Sequence, residues 1–332
     1  MYKKLVTSFL CFAALCCSAQ DPKFSQYFAS PLTLNPAYTG FFDGEYRIAV
    51  NTRQQWGNVG DAYNTYSISG DVKLVADENF TNHVFSIGLS GLFDESFNKA
   101  LKTQYISASF SYYQYLDVAH KFKFGLAPQV SYASRYLDHN ALTFASQYTS
   151  NGSFDSALPN HLDLNSHKAS YFDVNIGANF SGTFDRWSIA LGFAHYHLAR
   201  PKQSLLTNSF EVVAPRSTIH IGALHQINRF TDLNFTGIYN AQKKNNDILF
   251  GAVLGLMPNE ETKFKLNLGM WYQVNQSSFY PYLGINIGDF SAGINYTLYG
   301  NKVIDSTPRT YELSLIYRHN NFKGFKVPCP RF

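Results

Sequence analysis

The 332-residue chain has only 15% charged residues against 17% aromatics, among them 23 Tyr and 29 Phe. Soluble globular domains carry about 25% charged residues, and helical membrane proteins show apolar runs of about 20 residues, of which the sequence has none. Setting aside Lys3 and Lys4, 27 − 2 = 25 basic side chains face 23 acidic ones, with no basic stripe, so no nucleic-acid partner is expected.

Residues 1–19 read as a signal peptide. Lys3 and Lys4 form the charged start, Leu5 to Cys17 the apolar stretch, and Ser18-Ala19 the small residues before a cut at Gln20. Lipidation at Cys17 is disfavoured, because Leu15 and Cys16 precede it where a lipoprotein peptidase needs a small residue. The cut would remove Cys11, Cys16 and Cys17 and leave Cys329 alone, without an internal disulfide.

Residues 20–44 lack alternation and contain Pro22, Pro31, Pro36, Gly40 and Gly44. With Phe24, Tyr27, Phe28, Tyr38, Phe41 and Phe42 the stretch is too aromatic for a disordered tail. It reads as an extended strap or partial plug, packed against the lumen or rim of a sheet built by the rest of the chain.

From Glu45 to His319 the chain alternates apolar and polar residues between turn signals, the pattern of β-strands. Fourteen strands are predicted: Glu45–Arg53, Tyr63–Leu74, His83–Phe93, Leu101–Tyr115, Phe122–Tyr136, Ala169–Thr183 and Arg186–Leu198, then Ser217–Asn228, Asp232–Gln242, Asp247–Met257, Thr262–Asn275, Phe279–Gly288, Asp289–Leu298 and Arg309–His319. Most exceed the five or six residues usual in soluble sheets and suffice to cross a bilayer at a tilt. Aromatics such as Tyr112, Tyr113, Tyr115, Tyr280 and Tyr299 gather near their ends, where girdles sit. Long connections, above all 138–168, follow odd strands, and short ones follow even strands. Together these predict an all-β transmembrane antiparallel barrel in an outer membrane, with both termini in the periplasm and residues 320–332 as a periplasmic tail.

Enzyme motifs are absent: there is no G-x-S-x-G, H-E-x-x-H or G-x-G, and no cofactor is expected. His195 and His197 would share a strand face and His161 and His167 a loop, but without a third or fourth ligand they read as rim polar groups and no metal site is expected. Asp94-Glu95 and Glu260-Glu261 read as solvated loop charge. Inward Arg47, Arg53, Lys263 and Lys265 would either line a pore or fill the lumen with polar networks.

Two motifs bear a resemblance. Ser25-Gln26-Tyr27, a spacer through Pro31, then Asn35-Pro36-Ala37-Tyr38 and Gly40, followed after the first strand by Arg53-x-Gln55-Trp56, resemble the opening of the PorP/SprF family of the type IX secretion and gliding machinery of Bacteroidota. Cys329-Pro330 resembles the Cys-Pro ending of many members. The resemblance implies a barrel without enzymatic activity. Its partners would be lipoprotein and periplasmic components of the secretion ring, or a cell-surface adhesin whose export or retention it supports, besides outer-membrane lipid. On physical grounds these residues suit structural roles: Asn35-Pro36 sets an extended-to-turn geometry, Tyr27 and Tyr38 pack and hydrogen-bond, and Arg53 and Trp56 would stack or bridge at the rim. The alternative is a FadL-like channel for hydrophobic solutes, which the polar, small inward faces disfavour.

Overall fold

The computed structural model describes residues 21–58, 60–74, 82–159, 167–205, 211–258, 263–300 and 308–319. The leader, Glu260-Glu261, His161 and the tail with Cys329 and Pro330 lie outside them. The strands are β1 (Tyr46–Gln55), β2 (Tyr63–Leu74), β3 (His83–Ser96), β4 (Leu101–Tyr115), β5 (Phe122–Leu137), β6 (Lys168–Phe184), β7 (Trp187–Tyr196), β8 (Arg216–Asn228), β9 (Thr231–Gln242), β10 (Asn245–Leu256), β11 (Phe264–Gln273), β12 (Ser278–Ile287), β13 (Phe290–Tyr296), β14 (Leu298–Tyr299) and β15 (Thr310–His319).

Neighbouring strands pair antiparallel, β11 pairs with β12, and β1 pairs with β15 from Tyr46↔His319 to Gln55↔Thr310, so the sheet closes on itself. The strand predicted over Asp289–Leu298 is interrupted. β13 pairs with β15, β14 pairs with β12, and between them the Thr297 amide donates to the Thr310 carbonyl at 2.8 Å. Counting β13 and β14 as one interrupted strand gives a closed fourteen-stranded barrel.

Side-chain alternation decides which face meets lipid. On β1, Ile48 and Val50 are exposed while Ala49 and Asn51 are fully buried. On β6, Phe172, Val174 and Ile176 point out, and Asp173, Asn175 and Asn179 point in. Apolar outside and polar inside is the arrangement of a membrane barrel. Outward rings also contact each other across strands, as Phe85 does with Phe110 and Tyr112 at 5.8 and 5.1 Å.

The connections define two rims. With β13 and β14 counted as one odd strand, the connections leaving even strands, together with Tyr46 and His319, form the turn rim, and those leaving odd strands form the loop rim. The parity of lengths is incomplete, because three loop-rim connections are tight as well, among them the four residues 274–277 between β11 and β12. Phe97, Asn98 and Lys99 turn the β3–β4 hairpin with left-handed φ of 51°, 50° and 67°, and Lys243-Lys244 alone join β9 to β10. A hairpin needs only two to five residues at either rim.

Residues 21–44 are not extended. They form a 3-10 turn (Tyr27–Ala29), one α-helical turn (Pro31–Leu34) and a second 3-10 turn (Pro36–Tyr38). Pro31 and Pro36 each open a turn, where a missing N–H costs nothing. Asn35 between them is extended, at φ −156° and ψ 122°, as a residue before proline should be. The chain descends from Asp21 at the loop rim, beside the end of β9, to Tyr46 at the turn rim. The barrel's own ends therefore share a rim, but Asp21 and His319 lie at opposite rims, because the chain travels the length of the barrel before β1 begins.

Val130 lies mid-strand on β5 and is 52% exposed on the outer face. Val130→Arg is expected to destabilise the folded barrel by about 2–4 kcal/mol, measured by reversible guanidinium titration in bilayers.

Candidate functional site

The candidate site is the contact between residues 21–44 and the inward face of the barrel. Four groups of bonds, taken from the turn rim upward, hold it.

Near the turn rim, Asp71 on β2 is the hub. Arg47 donates to it through Nε and Nη2 at 3.0 and 2.8 Å and also reaches the Tyr38 carbonyl at 2.9 Å. The Gly40 amide donates to Asp71 Oδ2 at 2.7 Å. Gly40 has a φ of +71°, and an added Cβ would lie 1.9 Å from Ser86 Oγ, so conformation and space both demand glycine. Below it, the Lys123 ammonium sits 4.1 Å from the Phe41 ring centre.

At mid-lumen the partner is His220 of β8, 2% exposed. Asn35 Nδ2 lies 2.9 Å from His220 Nε2, and the Tyr38 hydroxyl 3.1 Å from Nδ1, with the Tyr38 and His220 rings stacked at 4.9 Å. Asn35 Oδ1 also accepts the Ala37 amide at 2.9 Å, and Nδ2 donates to the Ala178 carbonyl at 3.0 Å. Gly177 and Gly192 make this approach possible, since added Cβ atoms would lie 2.0 Å from Asn35 Oδ1 and 2.1 Å from the His220 ring. The Ala37 carbonyl accepts the Tyr113 hydroxyl.

Higher up, Glu312 of β15 is fully buried. Its carboxylate accepts the amides of Ser25 and Gln26 at 2.9 and 2.8 Å and lies 3.4 Å from Arg53 Nε. Gln26 Nε2 returns to the Glu312 carbonyl at 3.0 Å, and Asn295 donates to Ser25 Oγ at 2.7 Å. Tyr27 shares a 2.5 Å hydrogen bond with Thr236 and meets Trp271 edge-on.

At the loop rim, His197 stands between two carboxylates, Nδ1 at 2.6 Å from Asp173 and Nε2 at 2.9 Å from Asp21, while Arg216 Nε lies 3.4 Å from Asp21. Burial opposes charge on this imidazole, but the two acids outweigh it and raise its pKa from 6.5 to about 9. Two cavities flank this part of the segment. One, of about 60 Å³, lies between Lys23, Tyr27, Arg216 and Tyr280, and the other, of about 50 Å³, between Asp21, Tyr105, Gln129 and Asp173. Each has room for a few waters.

Several expectations change. His195 and His197 do not share a face. The strand ends at Tyr196, and His197 takes a left-handed φ of 61° that turns it into the lumen, while His195 stays on the outer parity and bonds Ser217 at 2.9 Å. His167 stacks on His139 at 4.7 Å. Arg53 and Trp56 do not stack. Arg53 turns inward to Glu312, whereas Trp56, after the strand-ending Gln55, is 49% exposed with a φ of 59°. Of the two readings of the inward cations, Arg47, Arg53 and Lys265 fit the polar network, since Asp71, Glu312 and Asp232 pair with them, the last at 2.7 Å from Lys265. Lys263 is exposed just before β11. Asp94 is buried inside β3 and accepts from Thr65 at 2.7 Å, so it is not loop charge. His220, Asp71 and Glu312 escaped the sequence reading, although each occupies an inward parity position on its strand.

The sequence model for a family described as type IX secretion system membrane protein PorP/SprF matches residues 16–317. No curated protein sequence matches. Among solved structures the chain resembles a Pseudomonas aeruginosa FadL homologue at 12% identity and TM-score 0.51, covering 85% of this chain and 92% of that one. It also resembles the Ralstonia pickettii toluene transporter TbuX at 9% identity and TM-score 0.52, covering 86% and 92%. At such identities the likeness is one of fold.

Glu312→Ala strands Arg53 and removes the acceptor for two amides. A loss of about 3–5 kcal/mol is expected, with faster proteolysis within residues 21–44 while the barrel keeps its heat-modifiable gel mobility. His197 has a folded pKa above its unfolded one, so its stabilising contribution is complete below about pH 6.5 and fades as pH rises through about 9. Denaturant midpoints should fall across that window in the native protein and stay flat in His197→Ala.

Proposed function

We propose that this chain, which belongs to the PorP/SprF family of type IX secretion system membrane proteins, works as a non-enzymatic outer-membrane scaffold that supports export or surface anchoring of a partner such as an adhesin. The observation that carries this reading is the content of the lumen. Residues 21–44 bond to inward groups on β1, β2, β4, β8, β9 and β15, and the inward cations Arg47, Arg53 and Lys265 are paired with carboxylates. A barrel filled in this way suits holding and docking better than bulk conduction, and the segment acts as its plug.

The loop rim, with the connection 138–167, is taken as extracellular and the turn rim as periplasmic, in keeping with the loop habit of outer-membrane barrels. Secretion-ring components would then meet the turn rim, and a surface partner the loop rim. The family motif residues serve this role indirectly, by fixing the plug. The FadL-like structures support a shared fold and do not carry a transport reading, because the inward faces here are polar.

Two measurements test the proposal. Purified protein in planar bilayers should show no sustained conductance, and deletion of residues 21–42 should open steady pores; large pores in the intact protein would overturn the plug. In the native host, deleting the gene should remove at least one secreted or surface protein from the cell exterior. An unchanged surface proteome would overturn the scaffold role.

A further inference from the structure

On β6 the ladder to its two neighbours ends at different heights. Its pairing with β5 runs up to Tyr136↔Lys168, but its pairing with β7 stops at Ile176↔His195. From Lys168 to Asn175, eight residues, no strand lies on the β7 side among the described residues. The Leu198 amide reaches the Val174 carbonyl at 3.1 Å and the His197 amide reaches Asn175 Oδ1 at 3.0 Å, and above these two bonds no described residue pairs with the edge.

The orientation of the open backbone is set by its neighbours. The His167 carbonyl accepts from Leu137 on the β5 side, and the Val174 carbonyl accepts from Leu198 on the β7 side. Backbone groups alternate along a strand, so odd residues face β5 and even residues face the gap. Ser170 and Phe172 therefore turn both N–H and C=O outward along the edge, and among the described residues none of these four groups has a backbone partner. Phe172 is 71% exposed.

The gap is built, not frayed. β7 leaves the ladder at His197, whose left-handed φ of 61° turns the chain away and whose ring is clamped between Asp173 and Asp21. Between Lys168 and Asp173 the tip reads Ala-Ser-Tyr-Phe, with no proline, glycine or charge, the devices that usually blunt an edge strand. Unpaired backbone is too costly inside hydrocarbon. The outward row Gln104↔Ser134↔Ser170 is polar, and the next row down, Ile106↔Tyr132↔Phe172, is apolar and aromatic, which sets the open edge at the upper boundary of the hydrocarbon.

We infer that the β6 edge at Ser170 and Phe172 is a docking site for an extended segment of a partner polypeptide, roughly five residues long, added as a strand. A second copy of this chain does not fit. Two barrels standing in one membrane share the direction of β6, so their convex edges would meet parallel, and an antiparallel pair would need one barrel inverted. The inference rests on the scaffold reading above and names how a surface partner would be gripped.

The test uses full-length protein in its native host. A protein lost from the cell surface on gene deletion is first identified. A photo-crosslinking residue placed at position 172 should then trap that same protein. Phe172→Pro removes an edge-facing N–H, which a barrel tolerates, together with the exposed ring, whereas Phe172→Ala removes the ring alone. In both, barrel abundance and heat-modifiable mobility should hold, and surface retention should fall about tenfold further in the proline variant than in the alanine one. If Phe172→Pro does not assemble, Ser170→Pro and the crosslink decide. Crosslinks only to lipid or to another copy, or full retention in an assembled proline variant, overturn the edge site while leaving the scaffold role standing. A deletion that removes no surface protein overturns both.

Discussion

The constraint on which the structure depends is that a sheet crossing hydrocarbon must leave no backbone group unpaired. Closure of β1 onto β15 meets it, and alternation then sends every second residue inward. Eight strands enclose just enough room for their own side chains, whereas sixteen or more enclose a water-filled channel. Fourteen strands leave a space that inward serines, asparagines and glycines do not fill. The remaining volume must hold either water or protein, and here it holds residues 21–44.

Filling a polar lumen with peptide raises a second problem, because amides and carbonyls taken from water need partners. The barrel supplies them from fixed positions: Asp71 for Gly40, Glu312 for Ser25 and Gln26, and His220 with two strand carbonyls for Asn35. Each buried carboxylate also neutralises an arginine, so the same two acids balance charge and cap the segment. Removing either partner leaves an uncompensated buried charge, which ties the segment and the wall together energetically. The glycines at 40, 177 and 192 are the steric counterpart, sites where a Cβ would collide with the group being held.

Legibility in the sequence divides along the same line. The strands were readable because their period of two is strong. β4 was expected and found at Leu101–Tyr115, and most other boundaries moved by one to three residues. The barrel's closure was likewise visible, and Asn35, Gln26 and Gly40 stand in the motif that carries the family resemblance. Their partners were not, since Glu312 and His220 lie 286 and 185 residues away from the groups they hold and only closure brings them together. The break at Thr297 and the inward turn of His197 depend on single dihedral choices that alternation cannot encode. The helical turns of the segment were missed for a related reason. Two prolines read as extended backbone, but each opens a turn whose length is set by the space in the lumen.

Those single dihedral choices matter most at the loop rim. Had β7 continued past Tyr196 in register, it would have covered the upper part of β6 and placed residue 197 on the outer parity with His195, out of reach of Asp21. Turning at His197 does two things at once. It places an imidazole between the wall's Asp173 and the segment's Asp21, and it strips the neighbouring strand from Ser170 and Phe172. The head of the lumenal segment and the open edge are therefore the two outcomes of one backbone turn. A strand added along β6 would arrive next to Asp173, whose carboxylate already bonds the ring that holds Asp21.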